Sequence, residues 1–260
     1  MIKLTRSKCP KELTNEKRLE LTKIYKETKK SVWKKPYIES ALLSSSNDKC
    51  AFCECKIDIE SKYMEVEHFH DKSTYPDDVV NWNNLLPSCK RCNGKKSTFN
   101  TKLNAFINPF DMNPKEHLIF NAYRFYPSSL AGKNTIDQLL LNDFKKIQTQ
   151  RYEIASALVI QIEDLYEKVC DYRDGIKRTN LTKINIINRI ESLMEEALPT
   201  ASYCATVATV MSNDVHFLTI IDILKEEQLW STEMDDTFSE IIKCSLDTDM
   251  SKYRDFLQTI

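Results

Sequence analysis

Glycine is nearly missing from this chain: Gly94, Gly132 and Gly175 are all that 260 residues contain. A phosphate-cradling loop or a dinucleotide fingerprint needs two or three glycines close together, so neither is present. Any nucleotide-driven activity would need its nucleotide site on another subunit. Long apolar runs are scarce too. The best is ASALVI at 155–160, far short of the roughly 18 residues of a membrane span. The opening MIKLTRSKCP has no apolar stretch of the secretory kind. Nine cysteines without such a leader read as metal ligands and free thiols of a reducing cytoplasm rather than as disulfides. No internal repeat or low-complexity segment stands out. The net charge of −1 gives no bulk attraction to a polyanion.

What is present is an ordinary globular composition, 42% apolar, with length for one large domain or two small ones. Charge is unevenly spread. Residues 1–35 hold 12 Lys or Arg against 4 Glu, and Lys90, Arg91, Lys95, Lys96 and Lys102 lie in a stretch without an acid. Residues 220–260 hold ten acids against four bases. A basic front and an acidic tail suggest a polyanion-facing surface on one part of the molecule, although solvated helix faces produce the same pattern.

The expected fold is mainly α with a small α+β core. Apolar spacing after Thr14 predicts a capped amphipathic helix, and Pro36 opens a second on the face Ile38, Ala41 and Leu42. Residues 56–70 read as strand-like through Ile57, Ile59 and Tyr63–Phe69, Leu85-Leu86 as a short strand, and Cys92 onward as a helix that Asn93 would open. HLIFNAYRFYP reads as a hairpin or a pair of short strands, and from Asn134 the pattern becomes helical, with shorter helices around 201–211, 213–227, 233–244 and 250–258. The expected division is a helical lead-in over 1–48, a metal-bearing middle over 49–132, and a helical part over 133–260.

The chemistry concentrates in residues 50–96. Two Cys-x-x-Cys pairs, Cys50/Cys53 and Cys89/Cys92, predict a closed four-thiolate zinc site that holds shape and leaves no open position for water. Cys55 competes as a ligand, but the x-x spacing favours Cys53. Cys9, Cys170, Cys204 and Cys244 read as buried or free thiols. A zinc nucleobase deaminase is excluded, because Ser88 separates Pro87 from Cys89 and no His-x-Glu is present. Between the pairs stand Glu67, His68 and Asn84, and Asn93 follows the last cysteine. A carboxylate and an amide oxygen suit Mg²⁺ or Mn²⁺. A neighbouring imidazole can act as general base on water. Lys90, Arg91, Lys95 and Lys96 are candidate phosphate contacts.

The string C-x-x-C…VEHFHDKS…NWNNLLPSCKRCNGKKS resembles the HNH endonuclease family in its zinc-stapled form, a ββα-metal fold. More narrowly, WKKPYIES leading into KCAFCE, then INPFDMNPKEHL and NTIDQLLLN, are similar to the HNH subunits of Septu-type and retron-linked anti-phage systems, over roughly residues 1–155. The resemblance implies Glu67 as the acidic ligand of a catalytic Mg²⁺ or Mn²⁺, His68 as general base, and Asn84 as the residue that holds the loop and orients the histidine. Asn93 would be the second ligand. It further implies nucleic acid as substrate, DNA before RNA, and a PtuA-like ATPase partner that would dock on the helical part over 133–260. In retron-linked systems it adds a reverse transcriptase with its RNA and DNA. His70-Asp71-Lys72 departs from the relatives' Glu-His-Phe-x-Pro-Lys, losing a proline and adding a second imidazole, and Asn83 is a neighbour of Asn84 that can compete for its role. A binding module with a vestigial site, or a zinc-stabilised adaptor, are the rival readings.

Overall fold

A computed structural model describes residues 1–57 and 63–259. Thr14 accepts a hydrogen bond from the Lys17 amide and so caps α1 (Asn15–Thr28), which ends where Lys29 turns left-handed. α2 (Pro36–Ser46) begins on Pro36, whose missing N–H is no loss in a first turn, and ends at left-handed Asn47. Both helices pack their buried residues, Leu21, Tyr25, Ile38 and Leu42, against Val66, Val79, Val80, Trp82 and Leu85.

The strand expected over 56–70 is shorter: β1 is Met64–His68, and it pairs antiparallel with β2 (Leu85–Cys89), His68 opposite Leu85 and Glu67 opposite Leu86. Ile57 is buried but outside the strand, while Ile59 lies outside the described residues. β2 runs straight into α3 (Lys90–Lys96), with Cys89 as its cap. α3 therefore starts before Cys92, and Asn93 is its fourth residue rather than its first. The expectation that Asn93 opens the helix is corrected: it lies one turn in, and the Cys92 amide before it is taken by the Cys89 sulfur.

The second hairpin, β3 (Leu118–Asn121) and β4 (Arg124–Pro127), turns through Ala122 and Tyr123, both left-handed with φ of 46° and 61°. It packs on α4 (Leu130–Leu139), where Gly132 lies against the preceding chain. A Cβ at Gly132 would sit 2.1 Å from the His117 carbonyl oxygen, and that backbone cannot yield cheaply. Gly132→Ala is expected to cost about 2 kcal/mol or more, read as a Tm lowered by several degrees; an unchanged melt would contradict the packing.

A π-turn at Phe144–Gln148 leads into α5 (Thr149–Arg173). Its buried stripe, Ala155, Leu158, Ile162, Leu165, Val169 and Tyr172, follows helical spacing. Around it pack α6 (Asn180–Glu195), α7 (Cys204–Asn213) and α8 (Val215–Glu226). α9 (Thr232–Cys244) lies on α6 and α7, and α10 (Met250–Leu257) lies on the β3–β4 hairpin. One apolar core runs from Met1 and Phe52 through the cysteine region to Phe217 and Leu246.

Polar bonds join the same parts: the fully buried Lys49 donates to the Ala201 carbonyl at 2.7 Å, and the Cys204 thiol donates to Glu54 at 3.1 Å. Burial pushes Glu54 up, but the Met1 ammonium and Lys49 outweigh it and hold the carboxyl down at about 2. Among the described residues no single helix is long and apolar enough to cross a membrane. The pair α7–α8 has the apolar length but bends by 68° and buries its apolar faces in the core.

Candidate functional site

The Sγ atoms of Cys50, Cys53, Cys89 and Cys92 all lie within 4.8 Å of one another, and Cys53 and Cys89 are 3.7 Å apart. Tetrahedral zinc with Zn–S bonds of about 2.3 Å spaces its sulfurs by about 3.8 Å, so the four thiols can hold a structural metal such as zinc. The chain brings them together in two ways. A bridge between Lys49 and Lys56 folds the first knuckle on itself, and the β2–α3 junction makes the second. The Cys55 thiol is 3.4 Å from Cys53 but stands outside the four-sulfur cluster and is half-buried.

Beside that cluster, β1 alternation turns Glu65 and Glu67 toward α3, and Val66 and His68 toward the α1–α2 side. Asn93 donates its amide to Glu65. Lys96 donates to Glu67 Oε1 and to the His68 carbonyl, both at 2.8 Å. Glu67 and Asn93 thus share the strand–helix interface without touching through a hydrogen bond. Glu67 is 2% exposed, and its Oε2 is buried with no hydrogen-bond partner among the described residues. Burial pushes this carboxyl up to about 7 against the pull of the Lys96 ammonium. A buried carboxyl oxygen without a partner among the described residues, on the interface that also carries the Asn93 amide, supplies hard oxygen donors of the kind a divalent cation takes.

His68 closes β1 on the other face. Its Nε2 lies 2.9 Å from the Val79 carbonyl; a carbonyl only accepts, so Nε2 carries the proton and Nδ1 is the basic nitrogen. Trp33 meets the ring edge-on with centroids 4.7 Å apart. Burial, with Lys72 adding to it, pushes His68 down to about 3, so the imidazole is neutral near pH 7.

These two shifts oppose each other in stability. The unfolded imidazole binds a proton below 6.5 and the folded one only below about 3, so the His68 contribution is lost as pH falls through that window. Glu67, raised from 4.5 to about 7, loses its contribution as pH rises through its own window. Melting His68→Gln and the parent from pH 6.5 to pH 4 should show the variant losing less stability; parallel curves would contradict the shift.

Asn84 is buried at the end of the intervening loop. Its side chain accepts from the His70 amide at 2.7 Å and donates to the carbonyls of His70 and Asp78, both at 3.0 Å. It ties the loop but does not bond the His68 ring, which the carbonyl of Val79, the residue after Asp78, holds instead. Asn83 is exposed, and its side chain takes no part in these bonds; its carbonyl accepts from Arg6. Asn84→Ala strands three backbone groups and should cost on the order of 3 kcal/mol, a Tm drop of about 5–10 °C. A drop under one degree would show that the loop is held elsewhere.

Of the basic residues, Lys90 and Lys95 are exposed and Arg91 donates to the Leu140 carbonyl at the end of α4 at 2.7 Å. Lys96, expected as a surface phosphate contact, is fully buried against Glu67. Its position one turn after Asn93 puts it on the strand-facing side of α3, which the basic run KRCNGKK concealed.

Sequence reading missed Glu65, although its i,i+2 relation to Glu67 was a usable signal, and missed Trp33 and Arg6, which no local pattern marks. Arg6 donates to the carbonyls of Trp82, Asn83 and Leu85 and so clamps the turn that delivers Asn84. His70 donates through Nδ1 to Thr101 Oγ1 at 2.8 Å, since that hydroxyl already donates to the Phe69 carbonyl. The second imidazole is thus tied to the segment after α3.

No family model and no solved structure matches the chain. It is 43% identical over 233 residues to Septu protein PtuB of Bacillus thuringiensis, covering 90% of each sequence. A second Septu protein PtuB, from Bacillus mycoides (strain KBAB4), is 27% identical over 226 residues, covering 70% of this chain and 75% of the relative. The extent of the first match reaches well beyond the cysteine-bounded segment and into the helical half. The chain belongs to the Septu protein PtuB family.

Proposed function

We propose that the chain is a metal-dependent endonuclease of the HNH kind, hydrolysing phosphodiester bonds of nucleic acid as the effector subunit of an anti-phage Septu system. The observation that carries this reading is the buried Oε2 of Glu67, unpartnered among the described residues, on the strand–helix interface that also holds Asn93, directly before a neutral His68 in the chain. Mg²⁺ or Mn²⁺ held by Glu67 and Asn93 would polarise the scissile phosphate and stabilise the leaving oxygen. His68 Nδ1 takes the proton from the attacking water, whose oxygen forms the new P–O bond as the bridging P–O bond breaks. The Val79 carbonyl, already bonded to Nε2–H, stabilises the imidazolium that forms. Asn84 and Arg6 keep the loop and turn around that histidine in place.

DNA is the favoured substrate. The scarcity of glycine supports a partner of the PtuA kind as the source of nucleotide dependence, and a cytoplasmic setting follows from that role. Incubating the chain and its ATPase partner with labelled DNA and RNA in parallel tests the reading. Cleavage that stops in EDTA and in Glu67→Gln is expected. Intact nucleic acid of both kinds, or cleavage untouched by Glu67→Gln, would overturn it.

A further inference from the structure

The interface between β1 and α3 is built as two rungs. Glu65 and Glu67 are two residues apart on one strand face, and Asn93 and Lys96 are three apart on the helix face opposite. The first rung joins Glu65 to Asn93 and the second joins Glu67 to Lys96. Of these four, Glu65 has no role in the sequence motif, and Lys96, expected at the surface as a phosphate contact, is buried here.

Each rung leaves one defined oxygen over. An amide presents one oxygen and one NH₂ group. Against the Glu65 carboxylate only the nitrogen fits, because two oxygens would repel. The Asn93 Oδ1 is thereby turned away from Glu65 and left as an acceptor. On the second rung, Lys96 engages Glu67 Oε1, and Oε2 stays buried without a partner among the described residues. The same ammonium bonds the His68 carbonyl, fixing the backbone between Glu67 and His68. A fully buried ammonium is costly to place unless its partners are fixed, so Lys96 is committed to this pair and does not reach solvent.

We propose that Glu65 and Lys96 are the positioning residues of the cation site, Glu65 setting the Asn93 amide and Lys96 setting the Glu67 carboxylate. The inference rests on the reading of Glu67 and Asn93 as cation ligands. Hydrogen bonds that orient metal ligands typically carry about 10–100-fold in metal affinity, and these two act on separate ligands.

Calorimetric titration of the full-length zinc-loaded chain with Mn²⁺ alone tests this without reference to catalysis. Glu65→Leu and Lys96→Met should each weaken the Mn²⁺ Kd by about 10–100-fold. Glu65→Gln keeps an acceptor oxygen for Asn93 and should stay close to wild type. Wild-type affinity in Glu65→Leu and Lys96→Met would overturn the proposal. Weak binding in Glu65→Gln equal to that in Glu65→Leu would assign Glu65 a role through its charge, against the proposal. Tighter binding in Lys96→Met would make Lys96 a competitor of the cation, again against it. Should Lys96→Met fail to fold, the half-buried Glu65 pair of variants decides alone. Glu67→Gln separates the two levels: if it binds Mn²⁺ like wild type, the cation reading itself fails.

Discussion

His68→Ala should lower single-turnover cleavage of nucleic acid by about 10²–10⁴-fold, the range of a lost general base. The imidazole qualifies on three counts. Its Nε2 proton is committed to the Val79 carbonyl, its ring is neutral near pH 7, and it follows directly on Glu67 at the end of β1. The substitution removes a ring packed edge-on against Trp33, so a modest loss of stability, about 1–3 kcal/mol, accompanies it. Circular dichroism at 25 °C and the zinc content should still match the parent. Cleavage at the parental rate in a folded, zinc-loaded His68→Ala would remove His68 from the mechanism.

Replacing Cys92 by Ser, or stripping the cysteine cluster with a strong chelator, should have the larger structural effect. The four thiols close both ends of the segment that carries Glu67, His68 and Asn84, and Cys92 itself is fully buried in the main core. Without a metal, four apposed thiols lose the bond that holds the β2–α3 junction to the first knuckle. Structural zinc is worth about 10–16 kcal/mol in small zinc-folded peptides. Here the helices share the core, so part of the structure persists. A Tm lowered by roughly 10 °C or more is expected, with loss of one zinc equivalent by elemental analysis. Hydrogen exchange should rise across residues 63–96 and much less in α5 and α8. Unchanged melting and exchange in metal-free protein would show that the cysteines do not bear structure.

The elements most legible in the sequence were those with local signals. Thr14, Pro36 and the periodic stripe of α5 each announce a helix through their own chemistry, and the two Cys-x-x-Cys pairs announce a cluster. The start of α3 was misplaced because its cap is Cys89, a residue type the cap rules do not favour. The burial of Lys96 was hidden because a basic run looks alike whether one member faces inward or not. Trp33 and Arg6 reach the site across 35 and 76 residues to His68 and Trp82, and such contacts depend on tertiary packing that no window reveals.

The division at residue 133 is a sequence-level boundary; the apolar core crosses it. Partner docking on the helical half is therefore better probed by substituting exposed residues such as Ile160, Ile176 and Ile184 than by truncation.

The proposed activity requires two metals of different kind, one closed by four sulfurs and one held by the oxygen ligands of Glu67 and Asn93. Anomalous diffraction from crystals grown with zinc and soaked in Mn²⁺ measures that directly. The expected result is a zinc peak among Cys50, Cys53, Cys89 and Cys92, and a manganese peak at Glu67 Oε2 and Asn93 Oδ1. A manganese peak elsewhere, with Glu67 and Asn93 unliganded in protein that still cleaves, would contradict it.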